Sequence, residues 1–142
     1  MSRKLALTAG LLLVSTAVSV AGDRPGQHFI TAWDLNGDGV VSLEDAREQR
    51  ANVFAMFDEN DDGILDPAEF EVLAEHRAAD AAQHGGGGRK HAQMGRGMGL
   101  EFNDGDGNGV VTLEEFLDGT ARWFALIDSN GDGQITSDDF AP

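Results

Sequence analysis

The sequence predicts an all-α protein made of helix–loop–helix repeats, with four loops in two closely spaced units and short β bridges between paired loops. Two observations support this prediction. A twelve-residue pattern of acidic, amide and glycine residues occurs four times, and apolar residues recur at helical spacing around it. The four segments begin at Asp34, Asp58, Asp104 and Asp128.

Each twelve-residue segment has the composition of a loop that wraps a hard cation. Oxygen-bearing side chains occupy positions 1, 3 and 5, glycine occupies position 6, an apolar residue position 8 and a carboxylate position 12. Ca²⁺ takes roughly six to eight oxygen ligands, and one short loop supplies them only by turning sharply around the ion. Glycine permits this turn because it tolerates positive φ. The sequence therefore predicts up to four bound Ca²⁺ ions.

The predicted ligands are the side chains at positions 1, 3, 5, 9 and 12 and the backbone carbonyl at position 7. In the first loop they are Asp34, Asn36, Asp38, Ser42 and Asp45, with the carbonyl of Val40. In the second loop they are Asp58, Asn60, Asp62, Asp66 and Glu69, with the carbonyl of Ile64. In the third loop they are Asp104, Asp106, Asn108, Thr112 and Glu115, with the carbonyl of Val110. In the fourth loop they are Asp128, Asn130, Asp132, Thr136 and Asp139, with the carbonyl of Gln134.

These loops resemble those of the EF-hand superfamily, and the chain is similar to bacterial-type secreted proteins with four EF-hands. The strict pattern D-x-[DN]-x-[DN]-G-x5-E is met by residues 58–69 and 104–115. The other two loops end in Asp45 and Asp139 instead of Glu. Because the shorter side chain reaches less far, we expect these two loops to bind Ca²⁺ more weakly or to discriminate less against Mg²⁺.

A single loop of this kind also has a purely structural explanation. Asp, Asn and Gly favour turns without any metal. Positions 9 and 12 form a capping box for the following helix in three of the loops. Four repeats in register favour metal binding over this alternative.

The spacing within each unit leaves room for one connecting helix. Twelve residues separate the loops, at 46–57 and at 116–127, where two helices and a turn would need more. Apolar residues at helical spacing agree with this interpretation. In the first connector they are Val53, Phe54 and Phe57, and in the second Phe116, Leu117, Phe124 and Ile127.

A single stiff connector determines which loops pair. Val41 and Leu65 would lie at opposite ends of the first connecting helix, so they should not bridge to each other. We therefore expect Leu65 to pair with Val111 and Val41 with Ile135.

The short spacing is also similar to that of the lanmodulins, which bind lanthanides. Lanmodulin loops resemble D-P-D-x-D-G, whereas position 2 in this chain is never proline. The residues there are Leu35, Glu59, Gly105 and Ser129. Because the spacing agrees but the loop pattern differs, lanthanide binding is kept as an alternative hypothesis to calcium binding.

The first residues resemble a secretory signal peptide, which we assign to 1–21. Arg3 and Lys4 precede an apolar run over 5–20, and small residues place the cleavage after Ala21. An N-terminal membrane anchor is the alternative, but the run is shorter than the roughly 20 residues that span a bilayer. The predicted location is secreted or periplasmic, with no membrane in the mature form.

The remaining chain divides into a first unit at 22–83, a glycine- and histidine-rich linker at 84–91, and a second unit at 92–142. A helix is expected over 67–83, with Phe70, Leu73 and Ala74 facing inward. Several side chains near the linker lack metal-site spacing, so a solvated linker is favoured over a zinc or copper site. They are His76, His84, Lys90 and His91.

The third loop has an unusual entering helix. Gly95, Gly97 and Gly99 each weaken a helix by about 1 kcal/mol relative to Ala. Asn103 directly precedes the loop, where the other loops have Trp33, Phe57 and Ile127. The expectation is that this half-hand orders when residues 104–115 close on an ion. The fourth loop is expected to lack most of an exiting helix.

The net charge and the residue composition limit the classes of partner and function. The chain carries 25 Asp and Glu against 10 Lys and Arg, a net charge of −15, which argues against nucleic acid and anionic membranes as partners. It has no cysteine, and we find no nucleophile motif or phosphate-binding loop, so an enzyme is not predicted. The predicted partners are metal ions, and no protein partner is identified.

The leading prediction is a calcium-binding buffer, carrier or metal-ordered module. The alternative is a calcium sensor that exposes an apolar groove to a protein partner. Sensor grooves tend to be rich in methionine, and the chain after Ala21 has only Met56, Met94 and Met98.

Overall fold

The computed structural model describes residues 24–83 and 88–141. The predicted signal peptide and residues 84–87 of the predicted linker lie outside the described residues. The helices are α1 (Gln27–Trp33), α2 (Leu43–Phe57), α3 (Pro67–Gln83), α4 (Arg89–Arg96), α5 (Leu100–Asn103), α6 (Leu113–Asp118) and α7 (Thr120–Ile127), followed by a 3₁₀ helix (Ser137–Phe140). The strands are β1 (Val41–Ser42), β2 (Ile64–Leu65), β3 (Val111–Thr112) and β4 (Gln134–Ile135). The predicted all-α class with short β bridges is confirmed.

The four two-residue strands form two antiparallel pairs. Strand β1 pairs with β4, with Val41 opposite Ile135, and β2 pairs with β3, with Leu65 opposite Val111. All four of these side chains are fully buried. The predicted pairing of the first loop with the fourth, and of the second with the third, is therefore confirmed.

Helix α2 is the single connector predicted between the first two loops. It starts at a capping box, in which the Ser42 hydroxyl accepts from the Asp45 amide and the Asp45 carboxylate accepts from the Ser42 amide. Glu44 and Asp45 also place negative charge at the positive end of the helix dipole. The helix runs for 15 residues, to the residue before Asp58. At 1.5 Å per residue it keeps the two loops about 22 Å apart.

The second connector differs from the prediction, because it is divided into α6 and α7 at Gly119. This glycine keeps helical dihedral angles, with φ −69° and ψ −13°, and its amide donates to the Glu115 carbonyl. A Cβ atom at Gly119 would lie 2.6 Å from Oδ1 of Asn103. Any side chain at this position would clash with Asn103, which explains the glycine.

Helix α3 has the predicted bounds, and Phe70 and Leu73 are buried in it. The expectation for Ala74 is wrong, because this residue is exposed. The stripe of α3 that faces the protein continues from Leu73 to the half-buried Arg77 instead. Arg77 donates to the carbonyl of Gly95 at 3.0 Å.

One core is built from both halves of the chain. Helix α2 packs on α6 and α7. The rings of Trp33 and Trp123 lie 4.6 Å apart, and those of Phe54 and Phe116 lie 5.8 Å apart. Buried aromatic residues from before and after the linker therefore share one cluster. In the described part of the chain, every helix is too short or too polar to cross a lipid bilayer.

The pairing of the outer loops predicts a large effect for Ile135→Ala. This change removes buried methyl groups opposite Val41 and should lower the free energy of unfolding by about 2–5 kcal/mol. Leu113→Ala is the control, because Leu113 is 39 % exposed and its truncation should cost about 0.5 kcal/mol or less. Urea unfolding in Ca²⁺-containing buffer measures both, and equal losses in the two variants would contradict the burial of this pair.

Candidate metal centre

The backbone of all four loops makes the turn that the sequence predicts. The glycines at position 6 have positive φ, from +79° to +87°. Position 4 also has positive φ in every loop, which was not predicted although glycine occupies this position in three of them. In the second loop this position is Asp61, with φ +56°. Asp is one of the few residues that tolerate this conformation.

The third loop brings three predicted ligands together. Carboxylate oxygens of Asp104, Asp106 and Glu115 all lie within 4.8 Å of one another. Three negative charges at this separation repel one another unless a cation lies between them. Together these three carboxylates could hold a divalent cation.

Hydrogen bonds hold these carboxylates ionised. The amide of Gly109 donates to Asp104 at 2.9 Å, and that of Gly107 at 2.8 Å. These amides, led by Gly109, lower the pKa of Asp104. The pKa of Glu115 is lowered chiefly by the amide of Thr112, which donates at 2.9 Å. Both groups are therefore anionic at neutral pH, as cation binding requires.

The other predicted ligands of the third loop have protein partners. Asn108 donates from its amide group to Asp106 at 3.0 Å and accepts from the Val110 amide at 2.9 Å. The Thr112 hydroxyl donates to Glu115 at 3.1 Å. The capping box is thus present together with the carboxylate cluster, so the two explanations of these residues are compatible.

The second loop closes through its two buried acids. Asp58 and Glu69 are each 8 % exposed. Asp58 accepts from the amides of Asp62 at 3.0 Å and of Gly63 at 2.9 Å. Glu69 accepts from the amides of Glu59 and Asp66, both at 3.0 Å. A single carboxylate therefore joins positions 2, 9 and 12 of the loop.

The remaining ligands of the second loop follow the same local pattern. Asn60 accepts from the Asp62 amide at 2.9 Å, and Asp62 accepts from the Ile64 amide at 3.0 Å. Asp66 accepts from the Glu69 amide at 2.9 Å and so caps α3. The side chains at positions 1, 3, 5 and 12 are held by amides of the loop itself.

The first and fourth loops repeat this pattern at positions 1, 3 and 5. Asp34 accepts from the amides of Gly37 and Gly39 at 2.8 and 2.7 Å, and Asp128 accepts from those of Gly131 and Gly133 at 2.8 and 2.9 Å. The other acceptor and donor pairs, each at 2.9 Å, are Asn36 with Asp38, Asp38 with Val40, Asn130 with Asp132, and Asp132 with Gln134.

In the fourth loop, aspartate at position 12 spans the loop as Glu69 does in the second. Asp139 accepts from the amides of Ser129 and Thr136, both at 2.8 Å. Asp45 accepts from the amide and the hydroxyl of Ser42 at 3.0 and 2.6 Å. The Ser42 contact is the main reason that the pKa of Asp45 is lowered. The weaker Ca²⁺ binding expected at these two positions stays a prediction.

Lys90 lies against the fourth loop, contrary to the expectation of a solvated side chain. Its ammonium donates to the carbonyl of Ile127 at 2.5 Å and to the hydroxyl of Ser129. Burial lowers the pKa of Lys90, while the nearby carboxylates of Asp139 and Asp128 oppose this shift. A positive charge is therefore held beside the fourth predicted site, and no sequence pattern indicated it.

The histidines near the linker stay apart from the loops. His76 packs edge-on against Phe57, with the ring centres 5.6 Å apart, and His91 is exposed. His84 lies outside the described residues. Within 24–83 and 88–141, no group of three or more metal-binding side chains includes a histidine.

Comparison with known proteins gives one family. The EF hand family model matches residues 50–74 and 121–141. The first match contains the second loop and the second contains the fourth. No curated protein and no solved structure matches the chain. The two matches support membership of these segments in the EF-hand superfamily and suggest calcium binding.

The loop geometry predicts that Gly109→Ala destabilises the third hand. The residue has φ +87°, and an L-residue in that region costs roughly 1–2 kcal/mol even though no other atom would contact its Cβ. Gly105→Ala is the matched control, because its φ is not positive and its Cβ would meet Glu115 at an ordinary 3.7 Å. Thermal unfolding with Ca²⁺ should show the loss in Gly109→Ala alone. A comparable loss in both variants would contradict the backbone argument.

Proposed function

We propose that this protein is a secreted or periplasmic calcium-binding protein without catalytic activity, acting as a buffer, carrier or metal-ordered module. The observation that best supports it is the third loop, where Asp104, Asp106 and Glu115 converge. Calcium binding in general is also what the two EF hand matches suggest. The secreted location rests on the signal-peptide sequence at 1–21.

The donor set fits Ca²⁺ better than a softer metal. Every predicted ligand is an oxygen atom, and the chain has no cysteine. Carboxylate and carbonyl oxygens suit hard cations such as Ca²⁺ and Mg²⁺, whereas zinc and copper sites usually include sulfur or imidazole nitrogen. Bound calcium would supply positive charge to loops whose predicted side-chain ligands are mostly carboxylates.

The small number of methionines favours a buffer over a sensor. Met98 is 5 % exposed and its sulfur accepts a hydrogen bond from Arg50 at 3.0 Å. Met94 packs against the core, whereas Met56 is exposed. The other exposed large apolar side chains are dispersed over two loops and α3, at Leu35, Leu43, Leu113 and Val72. They do not form the methionine-rich groove typical of sensors.

Calorimetric titration with Ca²⁺, Mg²⁺ and La³⁺ tests the metal and its stoichiometry. We expect up to four Ca²⁺ per chain, with Mg²⁺ binding more weakly, and a chelator should reduce helix content measured by circular dichroism because the acidic loops then repel. Preferential La³⁺ binding at equal ion concentration would favour the lanthanide alternative. Absence of heat with millimolar Ca²⁺ would refute the proposed function.

Two isosteric variants with the same net charge test whether the heat comes from Ca²⁺ binding to the third loop. Glu115→Gln removes a predicted ligand and should reduce the number of bound Ca²⁺ ions by one. Glu114→Gln changes the net charge equally at the adjacent exposed position and should leave the number unchanged. An equal response of the two variants would mean that bulk charge, and not this site, attracts the ion.

A fluorescent dye that reports exposed apolar surface distinguishes buffer from sensor. We expect little change in its emission when Ca²⁺ is added, because the three methionines after Ala21 are too few for a methionine-rich groove. A large increase with Ca²⁺ but not with Mg²⁺ would support the sensor alternative, since sensor hands open an apolar groove on binding calcium.

A further inference from the structure

Arg50 is a fully buried cation in the middle of α2. One terminal nitrogen, Nη1, donates to the carbonyl of Gly97 at 3.1 Å and to the sulfur of Met98 at 3.0 Å. The other, Nη2, donates to Oδ1 of Asn103 at 2.6 Å and to the carbonyl of Phe116 at 2.7 Å. The guanidinium thus has four acceptors from the second half of the chain.

The acceptors of Arg50 are neutral, although the chain is strongly acidic. In the described part of the chain, no carboxylate lies within ion-pair distance of this guanidinium. It lies instead 4.0 Å above the ring of Phe116 and 5.3 Å from that of Trp123. Burial lowers its pKa to about 9, so it remains a cation at neutral pH. Aromatic faces and carbonyl dipoles offset part of the cost of burying this charge.

The partners of Nη2 lie on either side of the third loop. Asn103 is the residue directly before Asp104, and Phe116 is the residue directly after Glu115. One nitrogen atom of Arg50 therefore joins the last residue of α5 to the backbone of α6. The distance between the two ends of the loop is fixed from outside the hand.

The third hand has little else to fix its entering helix. Helix α5 has four residues, too few to be stable without tertiary contacts. In the other hands the equivalent residue is Trp33, Phe57 or Ile127. Each of these side chains packs in the apolar core. Asn103 is 1 % exposed and also donates to the carbonyls of Gly97 and Gly99 at 3.2 and 2.8 Å. Polar contacts replace apolar packing at this one position.

We propose that Arg50 is the positioning residue of the third loop, holding α5 and α6 at the separation at which Asp104 and Glu115 face one ion. This inference rests on the proposed calcium function and deepens it. Because α2 also begins at the first loop and ends at the second, the same contact makes the third site depend on the helix that connects the other two.

The test compares three variants in the full chain. Arg50→Met removes the fork of donors and the charge, and Arg50→Lys keeps the charge but not the fork. Arg47→Met is the matched control: Arg47 is one turn earlier on α2, is exposed, and donates to the carbonyl of Leu117 in the same α6 at 3.3 Å. The readout is the NMR signal of the Gly109 amide during Ca²⁺ titration, with that of Gly39 as the reference for another loop.

Charge and positioning predict opposite results. Removing a positive charge should by itself strengthen Ca²⁺ binding, in Arg47→Met and Arg50→Met alike. Positioning predicts that both Arg50 variants weaken binding at Gly109 by about tenfold, the lower end of what supporting residues around a metal site contribute. Gly39 should shift its midpoint much less. An equal shift of the Gly109 and Gly39 midpoints would indicate a general loss of stability and would overturn the positioning role.

The outcomes separate the two proposals. If neither the Gly109 nor the Gly39 signal of the wild type responds to millimolar Ca²⁺, the calcium function and this inference are overturned together, whereas a silent Gly109 beside a responding Gly39 overturns the inference alone. A normal wild-type response, with Arg50 variants that match Arg47→Met, overturns the inference alone. Should Arg50→Met not fold, Arg50→Lys and Asn103→Leu decide the question, because Asn103→Leu removes the amide acceptor without changing the charge and should weaken Gly109 binding as well.

Discussion

Helix α2 holds the first and second loops at its two ends, and this separation determines the topology of the rest of the molecule. A loop of this type leaves the short strand at its position 8 with unpaired amides, which have to find a partner strand. The neighbour in sequence is about 22 Å away. Each strand therefore pairs across the linker, as β1 with β4 and β2 with β3. The core follows, because α2 then lies against α6 and α7.

Basic and acidic side chains have different hydrogen-bond partners in this chain. Five cationic side chains donate to carbonyls near the ends of helices, where the helix dipole is negative. These donors are Arg47, Arg50, Arg77, Lys90 and Arg122. In residues 24–83 and 88–141, none of the five donates to a carboxylate. The acids of the loops are bound chiefly by backbone amides instead, so most of their negative charge stays available to a cation, while Lys90 offsets part of it at the fourth loop.

The loops and their pairing could be predicted because both depend on local sequence and chain geometry. The oxygen positions and the glycine at position 6 are visible as a repeat, and the pairing of Val41 with Ile135 follows from the length of one helix. Arg50 could not be predicted, since an arginine that follows a run of polar residues in α2 looks like an exposed one. Its burial depends on Asn103 and Gly119, which are distant in sequence and have no pattern of their own. The division of the second connector at Gly119 was missed for the same reason.

The two strand pairs are nested, with the inner pair β2–β3 enclosed in sequence by the outer pair β1–β4. Joining distant segments costs loop-closure entropy, which increases with the length of chain enclosed. Once β2 and β3 are joined, the segments that remain between β1 and β4 are the two helical connectors, α2 and the pair α6 and α7, so the second closure costs less than it would in an open chain. The order of the strands along the chain therefore makes the outer pair the less costly of the two to close once the inner pair is in place.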